Sequence, residues 1–151
     1  MILTASKLNR FLLFKLPAAF FCGVRTKRLS MQQCVVTVRH RWINQNPFKS
    51  MFWAVQGMAA ELSTGALVML QIAESKKKIS MLVLSNEASF TKKATGKITF
   101  TCNDGHVIKD ALSKTIATGT GQTFWMKAVG VNEEGIEVST FNFQWTIRLK
   151  V

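Results

Sequence analysis

Glu61 is the first Asp or Glu from the N-terminus, it follows nine Lys or Arg residues, and its neighbours Met58, Ala59, Ala60 and Leu62 are apolar. A carboxylate in such company either satisfies a backbone group or a buried Arg, or acts as a base or nucleophile whose pKa is raised by desolvation. Helical spacing puts Glu61 on a face of small residues with Ser50, Ala54, Gly57 and Gly65, narrow enough for a ligand to approach. Thr64, three residues beyond the acid, can hydrogen-bond it or its own backbone. No other constellation competes. His40 and His106 have neither a triad partner nor a metal-ligand spacing, so no metal site is expected. Cys22, Cys34 and Cys102 are odd in number and lack C-x-x-C spacing, which fits a reducing compartment better than a disulfide framework.

These residues need a long helix to position them. Asn46 and Ser50 are good caps and Pro47 suits a first turn, so the spacing predicts a helix starting between Asn46 and Ser50 and running to about Ile72. Phe52, Val55, Ala59, Leu62, Ala66 and Met69 give it an apolar stripe. An amphipathic helix over Ser6 to Phe14 precedes it, ended or restarted by Pro17, then a basic connection through Arg25-Thr26-Lys27-Arg28 and a half-buried strand over Cys34 to Ile43. After it come strands over Ile79 to Thr91, with Leu82, Leu84, Ala88 and Phe90 in alternation, and Lys97 to Cys102. A short helix from Asp104 or Gly105 to Ala117 follows. Strands Gln122 to Val131 and Ile136 to Leu149 then meet at an Asn132-Glu133-Glu134-Gly135 turn. In the last strand Phe141, Phe143, Trp145, Ile147 and Leu149 share one face, while Thr140, Asn142, Gln144, Thr146 and Arg148 share the other. A sheet with one strongly apolar face and a helix apolar almost all round combine most simply when the sheet curls round the helix, the α+β hotdog arrangement of five to six antiparallel strands.

At 151 residues, 48% hydrophobic and 19% charged, the chain is expected to form one domain over 1–151, with residues 1–22 as a helix packed on it. Its net charge of +12 attracts anions. That admits a nucleic-acid or anionic-surface binder, but the aromatics alternate as core residues do and no nucleic-acid-binding motif is present, so nucleic acid is not the expected partner. The apolar run Phe11 to Gly23 contains Lys15 and Pro17 and is too short to cross a bilayer. The location expected is the cytoplasm, or the mitochondrial matrix if the basic, acid-free start acts as a presequence.

Several local motifs carry a family resemblance. Leu8-Asn9-Arg10-Phe11, then Arg41-Trp42-Ile43-Asn44-Gln45-Asn46-Pro47-Phe48-Lys49-Ser50, then Ala60-Glu61-Leu62-Ser63-Thr64-Gly65 together resemble the hotdog thioesterases of the phenylacetate-degradation type, and most closely a thioesterase-like branch of them. The resemblance covers nearly the whole chain. It implies thioester hydrolysis with Glu61 as base or nucleophile, fifteen positions after a loop Asn, here Asn46, which would orient water or the acid. It also implies an oxyanion site made by backbone N–H groups near Met51, Phe52 and Trp53, and substrate contacts from Ser50, Gly57 and Thr64. Lys92 and Lys93, in a turn resembling the family segment near the nucleotide, would meet the CoA phosphates. No cofactor is implied, since the CoA thioester is substrate or ligand. The active site would lie at the interface of a homodimer or a dimer of dimers. The family's His-Gly-Gly is replaced here by Phe52-Trp53-Ala54, and that departure motivates the alternative of a module that binds an acyl or CoA-like ligand without turnover.

Overall fold

In the computed structural model, which describes residues 2–151, the apolar face of the last strand is the floor on which the rest is built. Strand β6 (Glu137–Leu149) pairs antiparallel with β5 (Gln122–Val131) on one side and β3 (Ile79–Phe90) on the other. The sheet continues through β4 (Lys97–Cys102), β2 (Cys34–Arg39) and β1 (Arg25–Leu29) in the order β1-β2-β4-β5-β6-β3, all antiparallel. Side chains alternate across each strand, so Val36 and Val38, Ile98 and Phe100, Phe124, Met126 and Ala128, and Phe141 to Ile147 at every second residue are buried on one face. Helix α3 (Trp53–Ser75) lies on that face and touches β1, β2, β4, β5 and β6, as a sheet wrapped round a helix requires. This is the hotdog fold. The β5–β6 hairpin turns at Asn132, whose side-chain oxygen accepts the N–H groups of Glu134 and Ile136, both at 3.0 Å.

Helix α1 (Ala5–Lys15) opens on a Thr4 cap and buries Leu8 and Leu12. Proline then starts a separate short helix, α2 (Pro17–Phe21). The basic stretch expected as a connection is instead strand β1. Asn9 clamps it: its side chain accepts from the Thr26 N–H at 2.7 Å and donates to the Thr26 carbonyl at 2.9 Å, and Thr26 is buried beneath α1. Strand β2 stops at Arg39 rather than Ile43, and a 3-10 turn at Trp42–Asn44 leaves Trp42 82% exposed.

Two further expectations are corrected. The long helix begins at Trp53, not between Asn46 and Ser50. The side-chain oxygen of Asn46 accepts the N–H groups of Phe48 (2.9 Å) and Ser50 (3.2 Å), Lys49 adopts a left-handed φ of 61°, and the residues read as caps close a tight loop ahead of the helix. In β3 a bulge between Val83 and Ser85 reverses the alternation. Leu82 therefore lies on the outer side of the sheet, opposite Thr146, whereas Ala88 lies on the helix-facing side opposite Phe141. Helix α4 (Gly105–Thr118) packs against α3, β5 and β6. No helix among the described residues is long and apolar enough to cross a membrane.

Candidate active site

Apart from its C-terminal turn, α3 is largely enclosed except for one stripe along its start. Ala54, Gly57 and Met58 are half-buried along it, and Trp53 and Glu61, at its two ends, are exposed. The acid expected to be buried thus stands open on the helix flank. Among the described residues its carboxyl has no hydrogen-bond or ion-pair partner, so neither the capping role nor the Arg pairing occurs. Apolar walls nevertheless strip water from it, and this desolvation holds its pKa above the usual carboxylate value.

Glu61 borders two cavities. One, of about 340 Å³, runs along the stripe past Gly57 to Ala54 and Trp53 and is floored by Phe141 and Phe143. The other, of about 500 Å³, lies between the flank of α3 and the α1–α2 pair. A third, of about 540 Å³, gathers Asn46, Ser50, Lys92 and Lys93 at the loop before α3. Trp53, 57% exposed, lines both the loop cavity and the stripe cavity, and its indole stands between them. The structure thus collects the expected residues into two groups, with Gly57 and Glu61 in one, the loop residues and lysines in the other, and Trp53 shared.

Of the three backbone donors expected, two are engaged elsewhere. The N–H of Met51 donates to the Ala94 carbonyl and that of Phe52 to the Asn44 carbonyl, both at 2.8 Å. The N–H groups of Trp53 and Ala54 have no acceptor among the described residues. Phe52 caps the helix without a side-chain hydrogen bond, and no acidic residue occupies the first turn. These are the orphan donors of a helix start, where the macrodipole adds positive potential. The unpaired N–H groups at the helix start are therefore those of Trp53 and Ala54, because Met51 and Phe52 anchor the loop to its neighbours.

Two other side chains face elsewhere. Asn46 exchanges hydrogen bonds with the Ser50 hydroxyl and donates to the Met51 carbonyl at 3.3 Å, so its amide braces the loop and contacts neither Glu61 nor the stripe cavity. Thr64 is buried; its hydroxyl donates to the Glu61 backbone carbonyl at 2.9 Å and accepts from the Trp145 indole N–H at 3.0 Å. It is a core residue rather than a substrate contact. Lys93 donates to the Phe48 carbonyl at 3.0 Å, which ties the basic turn to the loop.

Sequence reasoning missed Asn44. Buried beneath the 3-10 turn, it accepts from the Arg41 N–H and donates to the Cys22 and Arg39 carbonyls, locking the N-terminal segment to the loop that delivers α3. It also missed Gln56, buried in the loop cavity with its side-chain oxygen unpaired. A Gln among apolar neighbours was the available signal for the second; the first had none, since the carbonyl of Cys22 that ties it to the N-terminal segment is remote in sequence.

A family model described as a domain of unknown function, DUF4442, matches residues 4–147. Among solved structures, a Pseudomonas aeruginosa protein of unknown function, described as a probable thioesterase, has a TM-score of 0.81 at 21% identity and covers 99% of both chains. A Chlorobaculum tepidum protein of unknown function has a TM-score of 0.81 at 17% identity, covering 98% of both. A thioesterase from Haemophilus influenzae has a TM-score of 0.75 at 12% identity, covering 99% of this chain and 93% of its own. At these identities the likeness is one of fold. No curated protein matches the sequence.

Proposed function

This chain belongs to the DUF4442 family, and on that premise we propose that it hydrolyses acyl thioesters as a homodimer, with Glu61 of one subunit acting beside the α3 N-terminus of the other. The observation that carries the reading is the shared stripe, in which an unpaired carboxylate with a raised pKa and two unpaired backbone N–H groups line one cavity. A thioester carbonyl needs both: donors aimed at its oxygen as negative charge develops, and a base that activates water or a nucleophile that attacks its carbon. Lys92 and Lys93 supply cations for a CoA phosphate at the adjoining loop cavity.

One chain does not bring the two halves to the same carbonyl. Eight residues separate Trp53 from Glu61, about 12 Å along the helix at 1.5 Å per residue. Reacting atoms must approach to about 3–3.5 Å, and a glutamate side chain bridges only part of that distance. Two α3 helices crossing antiparallel about Gly57, the residue midway between them, would bring each Glu61 to the partner subunit's helix start. Gly57 has no side chain to hold the helices apart. The long edge strand β3, with Leu82 and Leu84 exposed, would gain a partner in the same assembly.

A mixing experiment tests this. Glu61→Gln and Trp53→Pro are each expected to lose turnover across a panel of acyl-CoA thioesters, and mixed dimers should regain it, because one of their two sites then combines an intact acid with an intact donor. Statistical mixing gives about a quarter of wild-type activity. No recovery on mixing would put acid and donor in one subunit. A binding module, favoured by the bulk of Trp53 beside the donors, would bind acyl-CoA without turnover and without sensitivity to Glu61→Gln.

A further inference from the structure

We propose that the cavity between α1–α2 and the flank of α3 is the acyl-chain pocket, built for an unbranched aliphatic chain of about eight to fourteen carbons; this rests on the thioesterase reading above. Glu61 and Met58 line both this cavity and the stripe cavity. A carbonyl held beside Glu61 with its oxygen toward the helix donors therefore directs its acyl group away from them, into the space under α1. The walls there are Phe11, Leu16, Met69, Met81 and Trp145, with no polar side chain other than Glu61 itself and Lys15.

Shape and size select the ligand. From Glu61 to Met69 the cavity follows α3 for about 12 Å, the length of roughly ten carbons when C–C bonds of about 1.5 Å run zigzag. Its volume of about 500 Å³ gives an upper bound: an apolar cavity of about 150 Å³ holds benzene, so space for on the order of twenty carbons is present if every part were filled. An elongated slot suits a chain better than a compact aromatic acyl group. Three of its lining residues, Met58, Met69 and Met81, are unbranched and polarizable and adapt to a chain whose conformation varies. Gly65 sets the depth, since a Cβ there would lie 3.1 Å from the Trp145 ring, and only glycine lets the indole form the back wall. Beyond Met69 the space opens between α1 and α3 near Phe14, Lys7 and Arg10, so the upper length limit is soft.

The test is a chain-length series of acetyl-, hexanoyl-, decanoyl- and phenylacetyl-CoA, combined with calorimetric titration of sodium decanoate. Decanoyl-CoA is expected to exceed hexanoyl-CoA in kcat/KM by on the order of a hundredfold, at about fourfold per buried methylene. Met69→Trp, which fills the slot, should erase that gain and bring the decanoyl rate down to the hexanoyl rate. Leu16→Trp, at a position 47% exposed and so safe for folding, should narrow the same slot. Equal rates for acetyl and decanoyl thioesters, preference for phenylacetyl, or a decanoyl rate untouched by both variants would overturn the pocket while leaving the hydrolase reading intact. If no thioester is turned over, decanoate binding that disappears in Met69→Trp still supports the pocket. Absence of decanoate binding, or binding replaced by dimer dissociation in these variants, would assign the slot to a second copy of the chain and overturn the proposal.

Discussion

The two halves of α3 are built to opposite rules. From Leu62 to Gln71 nearly every residue is buried and the polar ones are satisfied. Thr64 bridges its own backbone and the Trp145 indole, and Gln71 donates to the carbonyls of Met31 and Gly105 at 2.9 and 2.7 Å, joining the helix to the start of α4. From Trp53 to Glu61 the same helix leaves two N–H groups, one carboxylate and the Gln56 side-chain oxygen without partners among the described residues, beside exposed aromatic rings. Buried or half-buried polar groups without partners cost free energy. The C-terminal half minimises that cost, and the N-terminal half tolerates it because the rest of the helix is so well anchored. Groups left unsatisfied on a rigid support are free to bind something else, which is the physical content of a site.

The largest expected effect breaks the contrast at its functional end. Replacing Glu61 by Gln should lower kcat by about 10²–10⁴, the usual contribution of a positioned acid or base, with thermal stability kept or raised. A variant that keeps its turnover would leave the carboxylate as a mere surface charge. Slightly smaller is the effect of the donor. Phe52 has φ −59° and ψ 133°, the extended conformation favoured before proline, so Pro at position 53 fits the first helical position without strain. Trp53→Pro removes the N–H and the indole together, whereas Trp53→Ala removes the indole alone. The ratio of their kcat values, expected at about 10²–10³, isolates the donor; equal values would exclude Trp53 from the oxyanion site.

At the other end the effect is on stability alone. Gln71→Leu deprives two carbonyls of a buried donor and should cost about 2 kcal/mol, lowering Tm by roughly 4–8 °C for a chain of this size. Steady-state kinetics of the folded variant should match wild type. A loss of turnover at permissive temperature would mean that the two halves are coupled, and the division drawn here would fail.

How far these halves could be read without coordinates follows from how local their causes are. The alternation of β6 and the Asn132 turn are properties of neighbouring residues and appear where the pattern puts them; the apolar body of α3 does too, but its start moves to Trp53 because Asn46 and Ser50 close a loop ahead of it. Glu61 stood out for the same reason, as an isolated acid among apolar neighbours. Strand β1 did not, because Lys27 and Arg28 look like a solvated run until Asn9 and β2 hold the backbone in place. Two of the three expected donors were ruled out because the N–H groups of Met51 and Phe52 are taken by Ala94 and Asn44, one of them far along the chain. The bond of Thr64 to its own backbone was one of the two readings open to the sequence, but its indole partner, Trp145, lies at the opposite end of the chain and gave no signal.

The smallest effect is a pH dependence that distinguishes Glu61 from an acid with an ordinary structural role. Desolvation raises the folded pKa of Glu61 above its unfolded value near 4.5, so between those two values the folded state holds a proton that the unfolded chain releases. Stability attributable to this group therefore falls as pH rises through the window. Glu61→Gln should unfold at a slightly higher temperature than wild type at neutral pH, with the difference fading as pH drops and absent below the unfolded value. Glu133 runs the other way. The Lys97 N–H donates to its carboxylate at 2.8 Å and Arg39 pairs with it at 3.5 Å, both lowering its pKa. Glu133→Gln should lose its small stabilisation above the ordinary carboxylate pKa and differ least from wild type in acid. Opposite slopes in paired melting curves at several pH values would mark one acid as strained for chemistry and the other as part of the frame. Parallel slopes would mean that Glu61 is hydrated in solution, and the hydrolysis rate should then rise with pH only in the range of an ordinary carboxylate rather than above it.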